Sequence, residues 1–183
     1  KGGDPFIFGR GGEEIIFLAE NDIKFEVIPG ISAGIGASAV FGIPLTHRQI
    51  ASSALFITGH DIENFTLRDW KALCTLKSTL IFYMATNNLS LILENLINGG
   101  MVDTTSFAVI ENATLKKQKI FTSTIAFGKK NISRTKISTP SIIIIGNVIN
   151  IHRTVEKYTN LEKYDDNLNC FEDFSYWSKD KIS

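Results

Sequence analysis

Four consecutive isoleucines, Ile142 to Ile145, constrain the fold more than any other run in this chain. A strand with one wet face alternates apolar and polar residues, whereas an unbroken β-branched run has to be covered on both faces. The run therefore predicts a central strand over about 141–149, with further layers above and below it. The rest of the chain offers those layers. Strand-like and helix-like runs alternate with short turns, the pattern of an α/β protein. Strands are predicted at 25–28, 54–58, 78–84, 107–110 and 119–122. Helices are predicted at 13–20, from Ser32 as N-cap to about Phe41, at 67–74, and from Asn87 or Asn88 to the Gly99-Gly100 stop. The last of these carries Leu89, Ile92, Leu93, Leu96 and Ile97 on one face, the stripe of a helix laid against a sheet.

With 44% apolar and 21% charged residues among 183, the chain has the composition of a globular domain with a real core. Nineteen basic residues balance nineteen acidic ones. That balance gives no global field toward nucleic acid or an anionic membrane, so an anionic ligand must be met by a few placed cations. No apolar run approaches the length of a membrane-spanning helix. Cys74 and Cys170 stand far apart, and His47, His60 and His152 show no ligand spacing. Neither a disulfide nor a metal site is predicted, which suits a reducing cytoplasm.

The candidate functional residues begin at the amino end, Lys1-Gly2-Gly3-Asp4-Pro5-Phe6-Ile7-Phe8-Gly9-Arg10. Gly2 and Gly3 permit positive φ and close backbone approach of a ligand, Asp4 offers an acceptor-only carboxylate, and Pro5 fixes the turn behind it. Gly-Asp-Pro by itself marks an ordinary turn. A phosphate-binding P-loop is excluded because no Gly-Lys-Ser/Thr follows, and the spacing does not fit a dinucleotide-binding loop. Further along, Ser32 and Ala33 place small residues at a helix amino end, where backbone amides can take a carboxylate or other polar ligand edge. Gly34, Gly36, Ala37, Ser38 and Ala39 keep that helix slim. Met84 ends a strand, the place where ligands of α/β folds gather; on chemistry alone a methionine there is more often simply core.

Taken in order, the opening decapeptide, Val27-Ile28-Pro29-Gly30-Ile31-Ser32-Ala33, Phe41-Gly42-Ile43-Pro44-Leu45-Thr46-His47-Arg48, Phe56-Ile57-Thr58-Gly59-His60, Ile81-Phe82-Tyr83-Met84 and Val109-Ile110-Glu111-Asn112-Ala113-Thr114 resemble the blocks of uroporphyrinogen-III C-methyltransferases. These are tetrapyrrole methylases that use S-adenosyl-L-methionine (SAM) and release S-adenosyl-L-homocysteine. The resemblance covers roughly residues 1–150. It implies two α/β domains with the active site in the cleft between them, the first domain incomplete. Residues 1–46 would close the first domain, 47–152 would form the second, and 153–183 would be a polar extension without a family counterpart. It implies cofactor contacts at Gly2, Gly3, Asp4, Ile7, Ser32, Ala33, Met84 and Ala113. Arg10, His47 and Arg48 are the cations expected to face the carboxylates of uroporphyrinogen III; a surface ion pair is the alternative for each.

The family's glycine-rich loop and acid/base residues precede the first of these blocks. The resemblance thus implies an N-terminally truncated chain, unable to turn over alone, onto which no catalytic residue can be carried. It further implies a cytoplasmic homodimer in siroheme or cobalamin synthesis, on its own or fused to siroheme synthase domains. The alternatives are another tetrapyrrole-type methylase, such as a precorrin methyltransferase or diphthine synthase, and a non-catalytic domain that binds a nucleotide or a protein partner.

Overall fold

In the structure, a computed structural model, residues 2–132 and 136–158 are described. Two helices come first, α1 (Gly11–Glu20) and α2 (Ala33–Val40). Then follow β1 (Ala54–Thr58), α3 (Leu67–Thr75), β2 (Thr79–Tyr83), α4 (Leu89–Asn98), β3 (Ser106–Glu111), β4 (Lys119–Thr124), α5 (Ile125–Asn131), β5 (Ser141–Ile145) and α6 (Ile149–Val155). The five strands form one sheet in the order β1-β2-β5-β3-β4.

The isoleucine run is the middle strand, as its composition requires. It pairs antiparallel with β2 on one side and with β3 on the other. β1 lies parallel to β2, and β4 antiparallel to β3. Consequently β1, β2 and β3 all point the same way, and Tyr83 and Ile110 both sit opposite Ile142.

Side chains alternate across the sheet as the pleat dictates. Leu80, Phe82, Phe107, Val109, Ile143 and Ile145 face one core, with Trp70 of α3, four residues of the α4 stripe and Ile125 of α5. Ile81, Tyr83, Ala108, Ile110, Ile142 and Ile144 face the other, under Ala37 of α2 and Ile149 of α6. Leu89, Ile92, Leu93 and Leu96 are essentially fully buried, and Ile97 packs at the margin. Helix α3 is held at its start by a capping box between Thr66 and Asp69.

Two expectations need correction. The segment 25–28 is not a strand: among the described residues no strand lies beside it to complete a ladder, and Phe25 and Ile28 are exposed. The predicted strand 141–149 stops at Ile145, because Gly146 turns the chain at φ 148° and Val148 and Ile149 are buried at the start of α6 instead. The expected extension 153–183 begins inside α6. Its residues 159–183, with Cys170, lie outside the described residues.

Candidate functional site

The carboxyl ends of β1, β2 and β3 share one edge of the sheet, and the 2–10 loop is drawn toward it, with Phe8 against Tyr83 at the end of β2. That loop folds against the turn that precedes α2. Asp4 uses its carboxylate to shape both: Oδ1 accepts from the Phe6 amide at 2.9 Å, and Oδ2 accepts from the Gly30 amide at 3.3 Å. A Cβ on Gly30 would stand 2.3 Å from the carbonyl oxygen of Gly3, so only glycine permits the crossing. Gly3 itself takes the left-handed conformation (φ 76°). Ile7 is half-buried against the second core, which seats the loop on the domain.

Tyr83, the last residue of β2, is the centre of the arrangement. Its ring lies 4.9 Å from that of Phe8 in the loop and 5.9 Å from that of Phe56 in β1. Its hydroxyl accepts from the Gly34 amide at 2.7 Å and shares a second bond with Ser32 Oγ, also 2.7 Å. Ser32 does stand at the N-cap position of α2, but its side chain bonds Tyr83 and makes no cap bond to the helix. The first-turn amide left without a partner among the described residues is that of Ala33, on an exposed residue.

Beyond Tyr83 the chain turns sharply. Met84 has φ 53° and is 48% exposed, and the preceding carbonyl accepts from the Gly59 amide at the end of β1. The parallel end of β3 does the same: Asn112 (φ 49°) is followed by half-buried Ala113 and by Thr114 (φ 69°). Glu111 accepts from the Ser138 amide, and the Asn112 amide donates to Pro140, which fixes this corner. Asn112 is 5% exposed, and its Oδ1 is buried without a hydrogen-bond partner among the described residues. Left-handed non-glycine residues and an orphaned buried acceptor are the strained features that collect where a ligand is held.

The structure therefore brings Gly2, Gly3, Asp4, Ile7, Ser32 and Ala33 into one contiguous group, through contacts among the loop, the turn and Tyr83. Met84 and Ala113 stand at the same sheet edge. Among the described residues, no hydrogen bond or ion pair joins the three cations to this group. Arg10 (φ 57°) bonds Glu13 at 3.2 Å on an exposed surface, the ion-pair alternative. His47 Nδ1 lies 2.6 Å from the carbonyl oxygen of Arg48, and both residues are exposed in the turn that leads toward β1. Tyr83 and Asn112 stand in motif blocks, next to Met84 and Ala113, but were assigned no site role from the sequence. The strand alternation that puts Tyr83 on the α2 face was the available signal; for Asn112 it was its place in the block just before Ala113, which does not tell that its side chain is buried without a partner among the described residues. A small apolar cavity lined by Phe107, Phe121 and Gly128 lies under α5, on the opposite face of the sheet.

An α/β domain with a glycine-rich loop, a helix amino end and parallel strand ends at one edge is built to hold a polar small molecule. Residues 1–127 match the Tetrapyrrole (Corrin/Porphyrin) Methylases, and the chain belongs to that family. It is 45% identical over 168 residues to the uroporphyrinogen-III C-methyltransferase of Bacillus subtilis (strain 168), which covers 90% of this chain and 65% of that protein. It is 44% identical over 151 residues to the siroheme synthase of Pseudoalteromonas atlantica, covering 82% of this chain and 33% of that one. Among solved structures, uroporphyrin-III C-methyltransferase from Thermus thermophilus, complexed with S-adenosyl homocysteine, superposes with a TM-score of 0.64 at 28% identity. That match covers 82% of this chain and 65% of the other. The chain thus spans between a third and two thirds of the relatives it matches.

Proposed function

We propose that this chain carries the cofactor-holding part of a uroporphyrinogen-III C-methyltransferase, which methylates its substrate by way of precorrin-1 to precorrin-2. The observation that carries the reading is the convergence on Tyr83 of the 2–10 loop, the start of α2 and the end of β2. The similarity to a methyltransferase complexed with S-adenosyl homocysteine supports it.

The residues present fit SAM. Asn112 Oδ1 is an acceptor lacking a donor among the described residues, beside Ala113, and half-exposed Met84 offers a thioether side chain at the same edge; this end suits a purine with its amino group. The Ala33 amide is a donor lacking an acceptor, and suits the carboxylate of the amino-acid end. Gly2 has open space around it, so the backbone there is accessible. Asp4 keeps lone pairs beyond the two in use, for ligand hydroxyls or the ammonium. When bound, the cofactor supplies an electrophilic methyl group on a sulfonium. The contribution of these residues is to hold that end in one orientation toward the incoming carbon, and the apolar Phe8 and Tyr83 rings limit water there. Arg10, His47 and Arg48 are proposed to meet substrate carboxylates. We further propose a cytoplasmic homodimer, on the family resemblance.

The test is product analysis. Full-length protein, SAM and uroporphyrinogen III should yield a dimethylated product. Methylation of a different tetrapyrrole instead would reassign the substrate, and absence of SAM binding would favour the non-catalytic alternative.

A further inference from the structure

We propose that Tyr83 is a positioning residue, which locks the 2–10 loop and the start of α2 into a single register. The inference rests on the cofactor reading above. Tyr83 is 7% exposed, and a buried phenol needs partners. It has two, Gly34 N–H and Ser32 Oγ, each at 2.7 Å. Replacing Tyr83 by phenylalanine would leave both of those groups buried and unpaired, since Ser32 is 3% exposed and Gly34 is buried.

The helix is shaped to admit this hydroxyl. A Cβ on Gly34 would meet Tyr83 Oη at 2.6 Å and Ile81 Cγ2 at 2.8 Å. The small residue at 34 is therefore the counterpart of the tyrosine, and not merely a means of close helix-sheet packing. The ring then does a second task. It supports Phe8, which is itself 41% exposed and held in a left-handed conformation. The main chain does a third, since the Tyr83 carbonyl takes the Gly59 amide just before the turn at Met84. One residue thus joins the loop, α2, the end of β1 and the exit from β2. Its own ring is nearly enclosed, so its effect on a ligand is exerted through Phe8, Ser32 and the Ala33–Gly34 backbone.

The test uses Tyr83→Phe, which keeps the ring and removes the hydroxyl, with Phe8→Ala as a second variant at an exposed position. Three quantities are read: exchange of the Gly34 amide, affinity for S-adenosyl homocysteine, and affinity for adenosine. Both affinities come from calorimetry. In Tyr83→Phe the Gly34 amide should exchange at least about tenfold faster. S-adenosyl homocysteine should bind roughly three- to tenfold more weakly, the scale of one lost hydrogen bond, while adenosine changes less than about twofold. Phe8→Ala should give the same selective loss from the loop side without altering Gly34 exchange. Equal weakening of both ligands, or no weakening in either variant, would overturn the positioning role. Failure of the wild-type protein to bind either ligand would instead overturn the cofactor reading, and unchanged Gly34 exchange in Tyr83→Phe would overturn the positioning role whether or not a ligand binds.

Discussion

Replacing Gly30 by alanine probes the crossing of loop and turn, and its effect can be worked from the geometry. The added methyl would lie 2.3 Å from the Gly3 carbonyl oxygen, 2.6 Å from its carbon and 3.0 Å from the Asp4 nitrogen. All three are backbone atoms, so no side-chain rotation relieves the overlap. Restoring a separation of 3.0 Å from that oxygen requires a shift of at least about 0.7 Å, taking 2.3 from 3.0. The shift pulls the Gly30 amide away from Asp4 Oδ2, already at 3.3 Å. A hydrogen bond to a charged group contributes about 1.5–3 kcal/mol, and a long, exposed one belongs at the lower end, which corresponds to about tenfold in affinity. Gly30 is exposed and outside both cores, so no core contact is lost, and a loss of about 1.5 kcal/mol should lower the melting temperature by about 3–6 °C. Calorimetric titration with S-adenosyl homocysteine, beside a thermal melt, separates the two effects. A Gly30→Ala protein with wild-type affinity would refute the claim that this crossing sets the loop.

Other expectations concern the fold around the site. Alanine at Gly128 would place its methyl 2.4 Å and 2.6 Å from atoms of the Phe107 ring and 2.9 Å from Leu93 Cδ1. Overpacking of about 1–3 kcal/mol exceeds the helix-propensity gain of about 0.5–1, so a thermal melt should show net destabilisation, with ligand affinity unchanged because this is the opposite face of the sheet. Asp69 is held below its ordinary value of 3.8 first by the Thr66 side-chain hydrogen bond and then by the Thr66 amide. A depressed carboxyl stabilises the fold above its unfolded pKa and loses that contribution as pH falls through the folded value. The stability difference between wild type and Thr66→Ala, measured by denaturant titration, should therefore be full at neutral pH and shrink below about pH 3.8.

Much of the scaffold was legible because it follows from periodicity. The limits of β1 were read correctly, those of β2, β3 and α4 to within two residues, and the isoleucine run was correctly placed at the centre of the sheet. The errors have physical causes. Residues 25–28 have strand composition, but a strand exists only beside another, and that neighbour is a long-range fact. The predicted strand ran on past Ile145 because Val148 and Ile149 are equally apolar; what ends it is the conformation at Gly146, which hydrophobicity does not encode. The site was legible as motifs and not as an assembly. Gly30 reads as the end of a Pro-Gly turn, while its contact with Gly3 spans 27 residues and appears only in three dimensions. Ser32 was read as a helix cap, the usual task of a serine there; the nearby phenol of Tyr83 gave it a different one.

A SAM-type ligand is proposed to sit against the 2–10 loop, the start of α2 and the sheet edge formed by the ends of β2 and β3. The most direct measurement is an amide chemical-shift map of the isotopically labelled protein titrated with S-adenosyl homocysteine. The account predicts saturable shifts centred on Gly3, Asp4, Ala33, Met84 and Ala113. Shifts centred instead on Phe107, Phe121 and Gly128 around the cavity beneath α5, or none at saturating ligand, would contradict it.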